Sequence, residues 1–237
     1  MVSLLPFLLH TTICSGNTTY YIRPTPSTPC PTDPCSTLSE YAQQPLHNLT
    51  SNTTLLLLPG DHILRENFTV EDVSTYEIWS FEPADSHATR IVCQGLFSFS
   101  FRNISRVAMH GVTISSCGKG GATTYSYPTA YYGVSVHSIL HTSIANCSFQ
   151  DSVGTALGVF HSSLALRGNN SFTNNCKRFF GRSYTCSCFG GGIYASASSL
   201  MFTGNTTFTV NSAALGGGIA AEHSVLSFNG KVILRGS

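Results

Sequence analysis

The chain has 237 residues, enough for one sizeable domain, and only 10% of them are charged, against about 25% in a typical soluble domain. Ser (32), Thr (26) and Asn (13) supply the polar surface instead. A formal net charge of +1 gives no field to attract nucleic acid, so that class of partner is disfavoured. The 42% hydrophobic content suffices for a core, and the longest apolar run after the N-terminus, residues 55–58, is too short for a membrane span.

Residues 1–16 have the outline of a secretory signal peptide. An apolar stretch at 4–9 is followed by small or polar residues, although no Lys or Arg precedes it. A buried N-terminal strand is the alternative. We predict a signal peptide over 1–16 and a secreted or cell-surface protein.

The cysteines favour an oxidising compartment. Removal of Cys14 with the signal would leave eight, an even number consistent with disulfides. No C-x-x-C spacing occurs, so a zinc site is disfavoured, and neither a metal nor another cofactor is predicted. Cys30 with Cys35 is a candidate pair, and so is Cys93 with Cys117. The full set of candidates is Cys30, Cys35, Cys93, Cys117, Cys147, Cys176, Cys186 and Cys188.

Eight of the 13 asparagines stand in Asn-x-Ser/Thr sequons, which makes N-glycosylation plausible in a eukaryotic host. The shared turn chemistry of Asn, Ser and Thr is an alternative reason for the count. The candidates are Asn17, Asn48, Asn52, Asn67, Asn103, Asn146, Asn169 and Asn205.

Residues 17–50 form a Pro-rich lead-in and one predicted helix. The stretch at 24–35 contains five prolines. Because the proline ring fixes the backbone angle φ, this stretch is predicted to be extended. Thr37 and Glu40 have capping-box spacing, and Leu38, Tyr41 and Ala42 would share a helical face. From residue 51 onward, short apolar runs separated by Gly, Asn or Ser predict strands.

A repeat organises the rest of the chain. Residues 200–211 match 164–175 at an offset of 36, and 216–230 match 190–204 at an offset of 26. A weaker copy carries Asn146 and Phe149 onto Asn169 and Phe172 at an offset of 23. Recurrence at this spacing indicates a solenoid.

Within each copy the apolar residues alternate, which predicts strands with one buried face and no crossover helix. The sequence therefore predicts an all-β, right-handed parallel β-helix over residues 51–237, with rungs of roughly 20–26 residues. Asn175 and Asn211 should form a hydrogen-bonded ladder, and a Cys93–Cys117 bridge would join neighbouring rungs. A lectin-like jelly roll is the rival fold, but it would not repeat Gly-Gly-Ile and Phe-x-x-Asn in register.

Two segments lengthen their rungs and are predicted to be inserted loops, 118–133 and 176–190. The first is rich in tyrosine. The second is basic and aromatic, which suits an acidic glycan or a protein partner; a disulfide-stapled surface loop without a partner is the alternative. Its candidate contact residues are Lys177, Arg178, Phe179, Phe180, Arg182 and Tyr184.

The segments 54–62 and 107–117 resemble coils of the right-handed parallel β-helix, or pectin-lyase-like, superfamily, and the general resemblance covers about 37–237. Gly-Gly-Gly-Ile at 190–193 and 216–219, with Phe-x-x-Asn at 172–175 and 208–211, is similar to repeats of chlamydial polymorphic outer-membrane proteins. That second likeness covers about 155–237 and departs from its pattern at the third Gly, where Ala is usual. The resemblance implies a fold more strongly than a function.

Enzymes of that superfamily cleave acidic polysaccharides and use clustered carboxylates. Nine of the 11 carboxylates precede residue 90, and the register would separate Asp151 and Glu222 by several coils. No nucleophile elbow occurs. His137 and His141 are four residues apart and should share one face of a strand. They could form a metal-binding pair, but we favour two polar residues on an outer face. We therefore predict no catalytic and no metal residue.

The resulting hypothesis is a non-catalytic secreted or cell-surface β-helix that acts in adhesion or recognition, with an unknown glycan or extracellular protein as partner. One alternative is a polysaccharide lyase or glycoside hydrolase of the pectin-lyase-like type. Another is a bacterial-type outer-membrane surface protein. Because the chain stops inside a repeat without a polar cap, we also expect an incomplete gene product.

Overall fold

The computed structural model describes residues 18–33, 35–43, 52–80, 88–118, 132–176 and 188–236. Within these ranges the chain is almost entirely β, and every strand pairs in parallel with its neighbours in one of three sheets. The chain visits sheets A, B and C in turn, and one such circuit is a rung. The predicted right-handed parallel β-helix is confirmed.

Two strands and a helix precede the regular rungs: β1 (Thr18–Arg23), β2 (Cys35–Thr37) and α1 (Leu38–Ala42). The strands that follow, in the repeating order of sheets A, B and C, are β3 (Asn52–Leu57), β4 (Gly60–Ile63), β5 (Phe68–Glu71); β6 (Thr75–Ser80), β7 (Thr89–Val92), β8 (Phe99–Arg102); β9 (Arg106–His110), β10 (Thr113–Ser115), β11 (Tyr132–His137); β12 (His141–Ala145), β13 (Ser148–Gln150), β14 (Thr155–Phe160); β15 (Ser163–Arg167), β16 (Asn169–Thr173), β17 (Ile193–Ser196); β18 (Ser199–Phe202), β19 (Asn205–Thr209), β20 (Ile219–Glu222); β21 (Val225–Phe228) and β22 (Val232–Arg235). In sheet A, β1 lies between β2 and β3, so that sheet extends upstream of residue 51.

The predicted helix forms at one end of the stack. The backbone N–H of Glu40 donates to the Thr37 hydroxyl at 3.3 Å, and the N–H of Thr37 donates to the Glu40 carboxylate at 2.7 Å, which completes the capping box. Leu38 and Tyr41 are buried, and the Tyr41 ring stacks against Phe68 with centroids 6.1 Å apart. This five-residue helix is much too short to cross a bilayer, and the described ranges contain no helix that could.

Like side chains stack in columns through the core, as the repeat predicts. Phe149, Phe172 and Phe208 are paired by register on β13, β16 and β19, and their ring centroids lie 4.8 and 4.9 Å apart. That spacing is the ordinary separation of paired strands. Leu200 lies between Leu164 and Leu226 in the same way. The offsets of 23, 36 and 26 are therefore the lengths of successive rungs.

The predicted asparagine ladder lies at the corner where the chain leaves sheet B for sheet C, here the B–C corner. The Asn211 side-chain oxygen accepts from the backbone N–H of Asn175 at 3.1 Å and from its Nδ2 at 2.9 Å. Asn211 Nδ2 donates to the Phe172 carbonyl at 2.9 Å. Both asparagines are buried, so these bonds satisfy backbone groups that water cannot reach.

A second ladder, of serines, occupies the corner between sheets C and A. The hydroxyls of Ser162, Ser198 and Ser224 accept at 3.0–3.1 Å from the backbone N–H of Ile139, Ser162 and Ser198 respectively. Each hydroxyl also donates to a carbonyl two residues before it. This ladder was not predicted.

Three disulfides form among the described residues: Cys30–Cys35, Cys93–Cys117 and Cys176–Cys188. The second joins the ends of neighbouring strands β7 and β10, as predicted. Cys147, a predicted disulfide candidate, instead has a free buried thiol, and the other described cysteines form the three disulfides. Burial raises the pKa of Cys147 to about 11. Cys186 lies outside the described residues.

The two rungs that carry the predicted insertions have their extra residues at the B–C corner. The first extra segment separates β10 from β11 and the second separates β16 from β17, while the intervening rung passes from β13 to β14 through residues 151–154. The Cys176–Cys188 disulfide closes the base of the second segment. Residues 119–131 and 177–187 themselves lie outside the described ranges.

Truncating one ring of the phenylalanine column should destabilise the protein strongly. Phe172→Ala removes a fully buried ring between two others, so we expect a loss of about 3–5 kcal/mol in the free energy of unfolding. Met201→Ala, at a side chain 44% exposed on sheet A, is the control and should change it by less than about 0.5 kcal/mol. Urea unfolding followed by circular dichroism measures both. Equal losses would contradict the column.

Removing one asparagine of the ladder should also lower the free energy of unfolding. Asn211→Ala takes the acceptor from the buried Asn175 N–H and the donor from the Phe172 carbonyl. An unsatisfied buried group costs about 1–3 kcal/mol, so we expect a loss on the order of 3 kcal/mol in the same unfolding experiment. Asn229→Ala, at an exposed asparagine, is the matched control. A loss no larger than that of the control would show that the ladder contributes nothing.

Candidate functional site

The outer surface of sheet C carries a group of aromatic side chains in the middle of the solenoid. Strands β11, β14 and β17 turn their valines, leucine and isoleucine inward, and they turn Gly158, Phe160 and Tyr194 outward. Phe189, just before β17, adds a fourth position at the edge of this surface. We call the ring-bearing group the C face; its members are Tyr132, His137, Phe160, Phe189 and Tyr194.

The rings of the C face form one connected cluster. His137 stacks on Phe160 with centroids 4.5 Å apart and planes 9° from parallel. Tyr132 meets Phe160 edge-on at 5.1 Å, and Tyr194 lies 5.8 Å from Phe160. Phe189 extends the cluster, 5.8 Å from Tyr194 and 47% exposed. These distances are within the range of favourable aromatic pairs.

Gly158 provides the floor of the C face. A Cβ at this position would lie 2.6 Å from the Tyr132 ring and 2.8 Å from the Phe160 ring. Because glycine has no side chain, both rings can approach the backbone of the sheet closely at this position. The register places Tyr194 directly beside Gly158 on the next strand.

The C face is uncharged at its centre. Burial, followed by the positive charge of Arg102 and by His161, lowers the pKa of His137 to about 4, so its imidazole is neutral near pH 7. Its Nε2 atom is buried and has no hydrogen-bond partner among the residues that the structure describes. Burial also raises the pKa of Tyr132. At the margin, the Tyr194 hydroxyl donates to the Glu222 carboxylate at 2.9 Å.

Both predicted insertions end beside the C face. The first leads directly into β11 at Tyr132, and the second returns to the described structure at Cys188 and Phe189. All six predicted contact residues of the second loop fall within 177–187, outside the described ranges: Lys177, Arg178, Phe179, Phe180, Arg182 and Tyr184. The structure therefore describes the anchors of this loop and not its side chains.

Asp151 and Glu222 lie more than two rungs apart, one after β13 and the other at the end of β20, as the sequence predicts. Asp151 accepts a hydrogen bond from Asn174 Nδ2 at 2.8 Å. The prediction that His137 and His141 share a strand face is wrong: His137 ends β11 in sheet C, and His141 begins β12 in sheet A. Across the described ranges, no three His, Cys, Asp or Glu side chains are grouped as metal ligands would be.

The sequons differ in exposure. Asn67, Asn103, Asn169 and Asn205 are exposed, whereas Asn52 and Asn146 are half-buried. Asn17 and Asn48 lie outside the described residues. Glycan occupancy therefore stays a prediction at all eight positions.

Tyr132 and Phe189 fall within the two predicted insertions, and His137 was predicted only as one of a histidine pair; Phe160, Tyr194 and the grouping of all five rings were not predicted. The signal was present in the repeat: the offset of 36 places Gly158 on Tyr194 and Phe160 on Ser196. The repeat alone does not show which positions of sheet C face outward, because that depends on where each corner ends and the strand begins.

Comparisons with protein-family models, with curated proteins and with solved structures found no match for this chain. The fold and the C face therefore stand on the structure alone.

Proposed function

We propose that this protein is a non-catalytic recognition or adhesion module that binds a glycan or an extracellular protein through the C face and the two loops beside it. The observation that carries the proposal is the meeting of an uncharged aromatic cluster with both insertions at one corner of a rigid scaffold. Loops held by a rigid scaffold are common binding elements.

The chemistry of this surface favours a ligand with apolar faces and hydroxyl groups. Aromatic rings bury large areas at little conformational cost, and Tyr hydroxyls and Glu222 can hydrogen-bond at the margin. The basic side chains of the 176–190 loop would add attraction for an acidic group on the ligand. We infer a sugar chain with acidic substituents as the first choice and a protein surface of similar chemistry as the second.

The resemblances fit this proposal at a coarser level. Three disulfides are compatible with an extracellular location, and stacked parallel rungs are compatible with the pectin-lyase-like superfamily and with the repeats of chlamydial polymorphic outer-membrane proteins. Secretion or display at a cell surface, including a bacterial outer membrane, belongs to the proposal.

Substitutions on the C face should weaken binding. The probes are an array of neutral and uronate-containing oligosaccharides and an array of extracellular-matrix proteins. For any probe that the protein binds, we expect Phe189→Ser and Tyr194→Ser to lower affinity about tenfold or more, since aromatic anchors often account for more than 1.4 kcal/mol of binding. Titration of the probe against each purified variant measures the change.

Met201→Ser is the matched control, because Met201 is 44% exposed on sheet A and Phe189 is 47% exposed. Its affinity should equal that of the parent. Equal losses in the control, or no ligand on either array, would contradict the proposal. Cleavage of a uronate polymer that is lost in Asp151→Asn or Glu222→Gln would favour the lyase or hydrolase alternative instead.

The proposal requires that the rings of the C face are packed together before any ligand binds. The stability of the free protein should therefore depend on pH through His137. Folding lowers the pKa of His137 from an ordinary value near 6.5 to about 4, so the unfolded chain takes up that proton first. Stability should therefore fall as pH falls from about 6.5 to 4. In His137→Phe, which keeps a ring on Phe160, the fall between pH 7 and pH 4.5 should be smaller.

Burial also lowers the pKa of His62, so part of the fall should persist in that variant. His141→Gln, at an exposed histidine, is the control and should behave as the parent does. Urea unfolding at the two pH values measures all three proteins. The same fall in the His137→Phe variant as in the parent would mean that His137 is not packed in the folded face.

A further inference from the structure

Three predicted sequons lie one above another at the corner between sheets A and B. Asn146 follows β12, and Asn169 and Asn205 begin β16 and β19, so the three occupy successive rungs. Asn169 and Asn205 are direct partners in the register of sheet B. Successive rungs are about 4.8 Å apart. The three amides therefore stand much closer together than their spacing in the sequence indicates.

Hydrogen bonds connect the three asparagines. The side-chain oxygen of Asn146 accepts from the backbone N–H of Asn169 at 2.9 Å. Asn205 Nδ2 donates to the side-chain oxygen of Asn169 at 3.0 Å. Asn146 is the most enclosed: it is half-buried, its Nδ2 lies 3.2 Å from the His110 ring, and its amide packs directly against Gly168.

The two exposed asparagines of this group, Asn169 and Asn205, lie beside one groove. Its volume is about 360 Å³, and both Asn169 and Asn205 line it. Ser148, Ser171 and Thr207 line the same groove, and the hydroxyls of Ser148 and Ser171 are 2.8 Å apart. These hydroxyls suit the first sugar of an N-linked glycan, which would otherwise project into solvent. A sugar seated there from one asparagine would occupy the space needed by the other.

We propose that the folded protein carries one N-linked glycan at this corner, on Asn169 or on Asn205, and never two. The host transferase supplies a lipid-diphosphate oligosaccharide. The asparagine nitrogen bonds to the anomeric carbon, the carbon–oxygen bond to the diphosphate breaks, and the amide loses one proton as the lipid diphosphate leaves. Transfer occurs before folding is complete, so the limit acts on folding: a chain modified twice cannot close these rungs.

The test uses the full chain secreted from eukaryotic cells with a heterologous leader, so that it does not depend on the proposed recognition function. Folded, protease-resistant protein is trimmed by an endoglycosidase that leaves one sugar per occupied site, and intact mass counts the sugars. The reference is Ser148→Ala/Ser171→Ala/Thr207→Ala, which abolishes all three sequons and keeps every asparagine. Replacing both Ser148 and Ser171 removes their mutual hydrogen bond without leaving one hydroxyl alone.

We expect the largest sugar count of the parent to exceed that of the triple variant by one. Ser148→Ala/Thr207→Ala, which leaves only the sequon of Asn169, should keep this excess of one, and so should Ser148→Ala/Ser171→Ala, which leaves only that of Asn205. An excess of two or three, or of zero, would overturn the proposal. If the parent is retained in the cell, the two single-acceptor variants should be secreted better than the parent. Equal retention of parent and single-acceptor variants would also overturn it.

Discussion

The core and the corners of this solenoid depend on the spacing of about 4.8 Å between rungs. At that distance a side chain touches the side chain at the same position of the next rung, so the core favours residues of like shape in columns. Phe149, Phe172 and Phe208 form such a column. An added residue within a strand would turn its inward side chains outward, and only a corner can absorb a change of length. For this reason rungs of 23, 36 and 26 residues share one register in the strands.

At the corners the backbone turns away from the neighbouring strands, so its buried N–H groups need other hydrogen-bond acceptors. The Asn175–Asn211 and Ser162–Ser198–Ser224 ladders meet this need by giving buried N–H groups an acceptor in the next rung. Each corner from sheet C to sheet A also begins with a left-handed residue. At Asn103 and His161 this conformation matches the residue type, whereas Ala197 adopts it only because the rungs on either side impose it.

This difference explains what sequence could and could not predict. The repeat, the asparagine ladder, the capping box and the Cys93–Cys117 bridge depend on residue identity at fixed offsets, which the sequence displays. The serine ladder repeats at the same offsets, but serine is too common in this chain to be noticed. The C face, the free Cys147 and the separation of His137 from His141 depend on where each corner falls, and residues such as Ala197 give no local signal for it.

The same geometry separates two kinds of surface on the middle rungs. The B–C corner accepts long insertions and has an aromatic sheet face beside it, whereas the A–B corner has short turns and a column of asparagines and hydroxyls. A large substituent at the A–B corner would project from a different flank than the C face and would leave that face open. The phenylalanine column of sheet B lies between the two corners, and its close packing holds them at a fixed separation.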